Sequence, residues 1–442
     1  MPETVNLGRV NGRRIPRPNS LSMPALSPAR RWLAVIVISA VAVRLGYILA
    51  FGGTLNLQTS GYDIYAVNLM AGNGYTRFPD FRPDSDLPPL YPAFLVGVYT
   101  VLGRSAASVA LAQIALEVVT ITTIYAIGRR VGGAWTGIVA AAFTAFYPYL
   151  LFQNLTLNDT AIFLTLLALA VLALYRTTER PTLARAALVG VVLGGAALTK
   201  TLCLALLPFA AVWWWRVLGW RQALRLSLVV GGVTLAVLTP WVARNIAVQG
   251  GFTLISTNDG SNLHQGNNPC VADYLLNGWD AQWVNCLPSP PEGLNELALS
   301  AWHRDQALRY IQEHLGAMPR LFAVKLWTLW SPEILPRAVP PDARLGDTAA
   351  LQYEQPLFRA ARIVHLLYFT PLLLLGGIGW WQAARRAARI APILMVIAAI
   401  TLAYLVFHPS TRYRAPADPF VFILAAYVLT DHRQPYTIVQ GG

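Results

Sequence analysis

Charge is what this sequence is shortest of. Of 442 residues, 12% are charged, against roughly 25% in an ordinary soluble domain. Meanwhile 55% are hydrophobic and the mean hydropathy is +0.47. Apolar runs long enough to cross a bilayer recur along most of the chain. The ~10-residue polar–apolar alternation of a membrane β-barrel is missing, so the runs read as helices. Acid is scarcer than base: 21 Asp and Glu against 34 Lys and Arg leave a net charge of +13. In a soluble protein that excess would point to nucleic acid. Here the arginines stand in short clusters between apolar runs, which is the positive-inside pattern, and no nucleic-acid partner is expected. Histidine is limited to six residues with no spaced set. A divalent metal therefore has no ligand cluster in its favour and stays open. There is no nucleotide-binding signature.

What is present is an all-α polytopic membrane protein. Residues 1–31 hold Arg9, Arg13, Arg14, Arg17, Arg30 and Arg31 with one acid, Glu3. They read as a disordered basic cytosolic arm close to anionic lipid. The first apolar run starts too late, and lacks the small-residue site, for a cleaved signal. The stretch 87–103 is short and opens with Pro88, Pro89 and Pro92. If it spanned, Arg129 and Arg130 and every later basic cluster would face outwards. Laid in the interface, it puts Arg129/Arg130, Arg176/Arg180/Arg185, Arg216/Arg221/Arg225 and Arg385/Arg386/Arg389 inside. The same test makes 319–335 a juxtamembrane helix, with Lys325 among aromatics. About ten spans follow: 32–51, 108–127, 134–151, 160–175, 184–199, 201–217, 224–241, 361–381, 390–407 and 417–430.

This divides the chain into an N-terminal transmembrane module, 32–241, with a first outer loop at 52–107; an outer loop, 242–360; C-terminal helices, 361–430; and a cytosolic tail, 431–442. Nearly every unusual polar residue falls on the outer side. Asp63, in SGYDIYAVNLMAGNGY (60–75), is either a helix cap or a partly desolvated carboxylate able to take a proton. Asp159, in NLTLNDTAIF, carries the same two readings, with Asn154 and Asn158 forming a polar rim beside it. Lys200 and Arg244 are outward cations next to spans, where positive charge is disfavoured. Each either snorkels or meets a phosphate. Arg412 and Arg414, in STRYRAP, suit a lipid phosphate more strongly. Asn258, Asp259, Asn262, His264 and Asn267 crowd a Gly-rich stretch. That density makes turns and also suits sugar hydroxyls. Cys270 and Cys286, both in the outer loop, are a disulfide candidate in an oxidising compartment.

The ordered set of motifs resembles a known family. GYDIYAVNLMAGNGY, LPPLYPAFLVGVYTVLG, YPYLLFQNLTLNDTAIFLTLLALA, GAALTKTLCLALLP, TPWVARNIAVQGGFTLISTNDGSNLHQGNNP and STRYRAPADPFVFILAAYVL run in the order and spacing of bacterial membrane glycosyltransferases of the GT-C superfold. The likeness is to the protein O-mannosyltransferase/aminoarabinose transferase group (family 39-like) and covers about 32–430. It implies a GT-C fold in a bacterial inner membrane, both termini cytoplasmic, with a catalytic N-terminal module working on the extracytoplasmic face. It implies a polyprenyl-phosphate-linked sugar as donor and an envelope glycan, lipid or protein as acceptor. Asp63 matches the family's catalytic base and Asp159 its second acid. Lys200 stands where arginine is usual. Tyr62 and Tyr91 fall in the sugar and acceptor region. Before PPLYP, where a basic residue is common, this chain has Asp86, with Arg82 displaced upstream.

A transporter or lipid flippase is the competing reading. It calls for ionisable residues inside spans and broken helices in matched halves. Arg44 and Glu117 are the span residues that stand out, and no inverted repeat is visible.

Overall fold

The computed structural model describes residues 28–51, 61–340, 356–386 and 389–430. Most of the basic arm, the C-terminal tail and part of each outer loop lie outside the described residues. Eighteen α-helices follow one another among the described residues, and there is no strand. Helix α1 is Pro28–Phe51; α2 (Tyr62–Met70) and α3 (Leu90–Leu102) lie in the first long connection, between α1 and α4. Then come α4 (Ala106–Gly132), α5 (Ala134–Ala145), α6 (Pro148–Asn154), α7 (Thr160–Glu179) and α8 (Leu183–Ala197). A 3₁₀ turn, Thr201–Ala205, leads into α9 (Leu206–Leu218), followed by α10 (Trp220–Gln249). The second loop carries α11 (Asp259–Gly266), α12 (Val271–Asn277), α13 (Glu296–Glu313) and α14 (Met318–Trp330). The chain closes with α15 (Pro356–Arg385), α16 (Ala391–Val406), the single turn α17 (Thr411–Arg414) and α18 (Asp418–Leu429).

Six helices are long and apolar enough to cross a membrane, and the α5–α6 pair makes a seventh candidate bent by 58°. Three shorter apolar helices, α8, α16 and α18, complete a one-to-one match with the ten expected spans. The fourth short apolar helix, α3, is the stretch placed in the interface by charge parity. Helix α14 has 13 residues against 12 in α18, so charge parity rather than length separates it from the expected spans.

Local sequence explains several joints. Pro148 has no N–H to continue α5 and holds Tyr147 extended, at ψ 114°, so α6 swings away at the bend. The α4–α5 hairpin closes where Gly128 faces Gly137: a Cβ on Gly137 would come 2.5 Å from the Tyr125 carbonyl, so no larger residue fits. Helix α7 is the hub, with 83% of its most apolar window buried, against 17% for α1. Phe163, Val171, Leu193, Trp214, Ile393 and Phe420 share one core with it. At one end the basic clusters meet: Arg130 bridges Glu179 at 2.8 Å and Arg185 donates to the Arg176 carbonyl at 2.8 Å. The described parts of the loop before α4 and of the loop after α10 gather at the other.

Arg44 and Glu117, the span charges that stand out in the sequence, pair with each other at 3.3 Å. In the second loop Glu296 accepts from Ser85 N, Thr257 Oγ1 and Gln249 Nε2 at 2.9–3.2 Å, tying that loop to the first. Lys325 reaches the Leu405 and Val406 carbonyls at the end of α16, at 2.9 and 3.2 Å, as a cation capping a helix C-terminus. Cys270 and Cys286, 16 residues apart, are bonded. Replacing both by serine should lower stability by about 3 kcal/mol on the chain-entropy account, read as a lower unfolding midpoint. An unchanged midpoint would mean that the Glu296 network alone holds the loop.

Candidate active site

Asp159 immediately precedes α7, where a carboxylate ordinarily caps the helix. It does not do so here. Asn158 Oδ1 accepts from the Thr160 N–H at 2.9 Å and takes that role, leaving the Asp159 carboxylate for other partners. Lys200 Nζ donates to its Oδ2 at 2.7 Å, Arg412 to its Oδ1 at 3.2 Å, and the Tyr62 hydroxyl to Oδ2 at 3.2 Å. One carboxylate, 2% exposed, thus joins the first loop, the α8–α9 junction and the turn α17. Burial alone would raise its pKa, but Lys200 and Arg412 outweigh it and hold Asp159 below the ordinary carboxylate value. Burial raises the Tyr62 hydroxyl well above its ordinary value, so it is neutral and donating. Burial lowers Arg412, yet Asp159 and neighbouring tyrosines carry it upward overall.

This cluster lies where two cavities meet. One is a polar chamber of about 530 Å³, lined by Tyr62, Asp159, Lys200, Ser256, Asn258, Asp259, Asn262, Tyr404, His408, Arg412 and Tyr413 among others. The other is a mainly apolar cleft of about 760 Å³ between α1, α6 and α15, lined by Val43, Tyr47, Phe152, Ile334, Phe358 and others. Gln282, Arg412 and Tyr413 line both. Gln282 Nε2 donates to the Tyr413 hydroxyl at 2.8 Å, and Tyr413 stacks on Tyr404 with centroids 4.7 Å apart.

The structure brings together Tyr62, Asp159, Lys200, Asn258, Asp259, Asn262 and Arg412 from the sequence candidates. It places the others elsewhere. Asp63 sits one residue along α2 from Tyr62 and faces the other way. Tyr99 donates to it at 2.6 Å, Arg104 Nε at 3.1 Å, and Arg104 also bridges its second oxygen. It braces α2 against the α3–α4 corner and does not line the chamber. Arg244 is held by the Asp84 and Tyr75 carbonyls and Ser85 Oγ, at 2.6–3.2 Å, and fastens the first loop to α10. Arg414 is fully buried, paired with Asp418 at 3.0 Å over the Phe369 ring. Residues two apart on a helical turn point to opposite sides; α17 therefore sends Arg412 to the chamber and Arg414 into the core. Tyr91 donates to Gln113 at 3.1 Å, edge-on to Tyr62. Asn267 braces the end of α16 through the Val406 carbonyl at 2.8 Å. His264 faces His303, Nδ1 to Nδ1, at 3.0 Å, and burial with that neighbour lowers it to about 4. Asp86 pairs with Arg77. The chamber draws on residues beyond 400, so it is not confined to the N-terminal module. Among the described residues no three His, Cys, Asp or Glu side chains group to hold a metal ion.

Gln282, Tyr404, His408 and Tyr413 also line the chamber and are not among the sequence's candidate site residues. For Gln282 there was no signal. Tyr413 and His408 stand within the same outer turn as Arg412, and that shared turn was the available sign.

Residues 86–243 match the family model described as dolichyl-phosphate-mannose-protein mannosyltransferase. Over 90% of its length the chain superposes on the apo oligosaccharyltransferase of Archaeoglobus fulgidus, with TM-score 0.52 and 12% identity. It does so equally on AglB of that organism in complex with an inhibitory peptide and a dolichol-phosphate, with TM-score 0.53, 14% identity and 90% of the chain covered. The fold is that of the GT-C glycosyltransferases. The chain spans about half of those oligosaccharyltransferases, 50% of each. ArnT from Cupriavidus metallidurans bound to undecaprenyl phosphate superposes more loosely, at TM-score 0.43 and 15% identity, over 90% of this chain and 77% of ArnT. No curated protein matches the chain in sequence. Within the GT-C fold the stretch matched by the family model ends at residue 243, so it includes Asp159 and Lys200 but not Arg412.

Proposed function

We propose that this protein is a membrane glycosyltransferase that moves a sugar from a polyprenyl-phosphate donor to an acceptor, on the extracytoplasmic face of a bacterial inner membrane. One observation carries the reading: the Lys200–Asp159–Arg412 cluster stands where an apolar cleft opens into a polar chamber. A prenyl tail fits the cleft, a sugar fits the chamber, and the phosphate joining them falls against two cations. A phosphate leaves readily when positive groups already fixed in place meet its growing charge. Asp159 holds Lys200 and Arg412 in position and balances their charge while no donor is bound. An arriving phosphate meets the Arg412 Nε, which has no protein partner, while Asp159 stays paired with both cations. Attack from the chamber side, opposite the phosphate, inverts the anomeric carbon. The extracytoplasmic placement rests on the basic clusters at the far ends of α4, α7 and α8.

The test is mass spectrometry of lipid-linked sugars and envelope glycans from cells with and without the gene. Loss should produce one glycan lighter by a sugar and a matching build-up of one polyprenyl-phosphate sugar. Unchanged glycans and lipids would remove the reading. Asp63→Asn in the same assay separates the two acids. Its carboxylate is buried and only its partner Arg104 is half-exposed, so transfer should stay within about threefold and stability should fall by about 1–3 kcal/mol. Abolished transfer with an intact fold would return Asp63 to the role of base, reached by release from Arg104.

A further inference from the structure

Transfer to a hydroxyl needs a group that accepts the hydroxyl proton, and the carboxylates lining the chamber are poorly free to do so. Asp159 is committed to Lys200, Arg412 and Tyr62. Asp259 accepts from Ser300 Oγ and Arg304, each at 2.8 Å. Besides these two carboxylates, a histidine lines the same chamber and has no role in the cluster. His408 follows the end of α16, is 2% exposed, and packs edge-on to Tyr413 with ring centroids 5.3 Å apart. Its Nδ1 faces the Asn262 carbonyl at 3.5 Å. A carbonyl can only accept, so Nδ1 carries the proton of the neutral ring and the lone pair is on Nε2. That Nε2 is itself buried and has no protein partner.

We propose that His408 is the catalytic base of the chamber, with Nε2 taking the proton of the acceptor hydroxyl. The inference rests on the glycosyltransferase reading and adds the group that activates the acceptor. As the hydroxyl oxygen bonds to the anomeric carbon, the bond from that carbon to the phosphate oxygen breaks. Its electron pair stays on the phosphate, against Lys200 and Arg412. The proton passes to Nε2, and the imidazolium later loses it to water. The groups facing the ring from its neighbours are Tyr413 on α17, Lys325 on α14, Asp280 ahead of the 3₁₀ turn Ala281–Trp283, and the Asn262 carbonyl on α11. Burial lowers the His408 pKa; Asp280 and the carbonyl oppose this, Lys325 adds to it, and the net is downward. The ring is therefore neutral at neutral pH. Its capacity as a base is lost only as pH falls through a value below the ordinary histidine range.

The experiment uses full-length wild type, His408→Gln and His408→Ala in membranes of a strain lacking the gene. Transfer is read as the glycan mass change, and the purified proteins are titrated with fluorescent undecaprenyl phosphate. Both variants should lose about 10²-fold in transfer and bind the lipid probe within about twofold of wild type. Added imidazole should restore part of the His408→Ala rate, following the pH titration of imidazole itself. His408→Gln transfer within about threefold of wild type would overturn the proposal. So would loss of lipid binding in step with transfer, or absence of imidazole rescue, since each marks a structural role. No glycan change with wild type itself would instead overturn the glycosyltransferase reading, and this proposal with it.

Discussion

Arg412→Ala should lower sugar transfer by about 10²–10³-fold, the usual cost of removing one fixed donor at a site of developing negative charge. The expectation follows from position. Arg412 alone among the four candidate phosphate-binding cations lines both the cleft and the chamber, where the proposed lipid phosphate would sit. Its Nε has no protein partner while a terminal nitrogen holds Asp159, which leaves part of the guanidinium free to meet an oxygen. Arg412→Lys should recover only part of the loss, because a point charge lacks the planar fork that matches a phosphate. Binding of fluorescent undecaprenyl phosphate should weaken together with turnover in the alanine variant. Transfer near wild type with lipid binding unchanged would put the phosphate elsewhere. Arg244 and Arg414 make good controls in principle but poor ones in practice: each is a structural fastener, and their replacement would act through the fold.

How far the sequence reveals this site depends on which partners lie close along the chain. Span number follows from apolar length and the side of the basic clusters, both local properties. Of the ten expected spans, six coincide with helices long and apolar enough to cross a membrane, one with a pair bent at Pro148 and three with shorter apolar helices. The two acids could not be sorted in that way. Asp63 and Asp159 each stand at a helix start, and each has a structural and a chemical reading. Asp159 is released from capping because Asn158, its neighbour, does the capping. Asp63 is tied up by Arg104, 41 residues away, a pairing no local pattern announces. The cations divide likewise. Arg414 has Asp418 one helical turn on, an i,i+4 pair that was legible and points to the core. Arg244 is held by carbonyls of a loop about 160 residues earlier, which only the folded chain could show. His264 and Asn267 sit in a stretch whose composition fits sugar binding, yet helix α11 turns them towards the protein.

The second large effect concerns the membrane interior. Arg44 on α1 and Glu117 on α4 have side chains 1% and 2% exposed and face each other at 3.3 Å. Asn154 Nδ2 donates to Glu117 at 2.7 Å, and Arg44 reaches the Ala40 and Ala145 carbonyls at 3.1 and 3.0 Å. A transporter would use such charges on its substrate path. Here they form an ion pair, although Arg44 Nε and Nη2 and Glu117 Oε1 make no hydrogen bond, and they tie the peripheral α1 to α4, α5 and α6. Removing one partner leaves a buried charge uncompensated, so Glu117→Leu should cost about 3–5 kcal/mol of stability, read from thermal unfolding in detergent. Replacing both, Arg44→Met with Glu117→Leu, exchanges the pair for apolar groups of similar size and should recover most of that loss. The double variant should also keep its sugar transfer, because neither residue lines the chamber. A single variant as stable as wild type would mean that the ion pair contributes nothing. A stable double variant without transfer would mean that these charges serve function rather than assembly, and it would move the argument back towards transport.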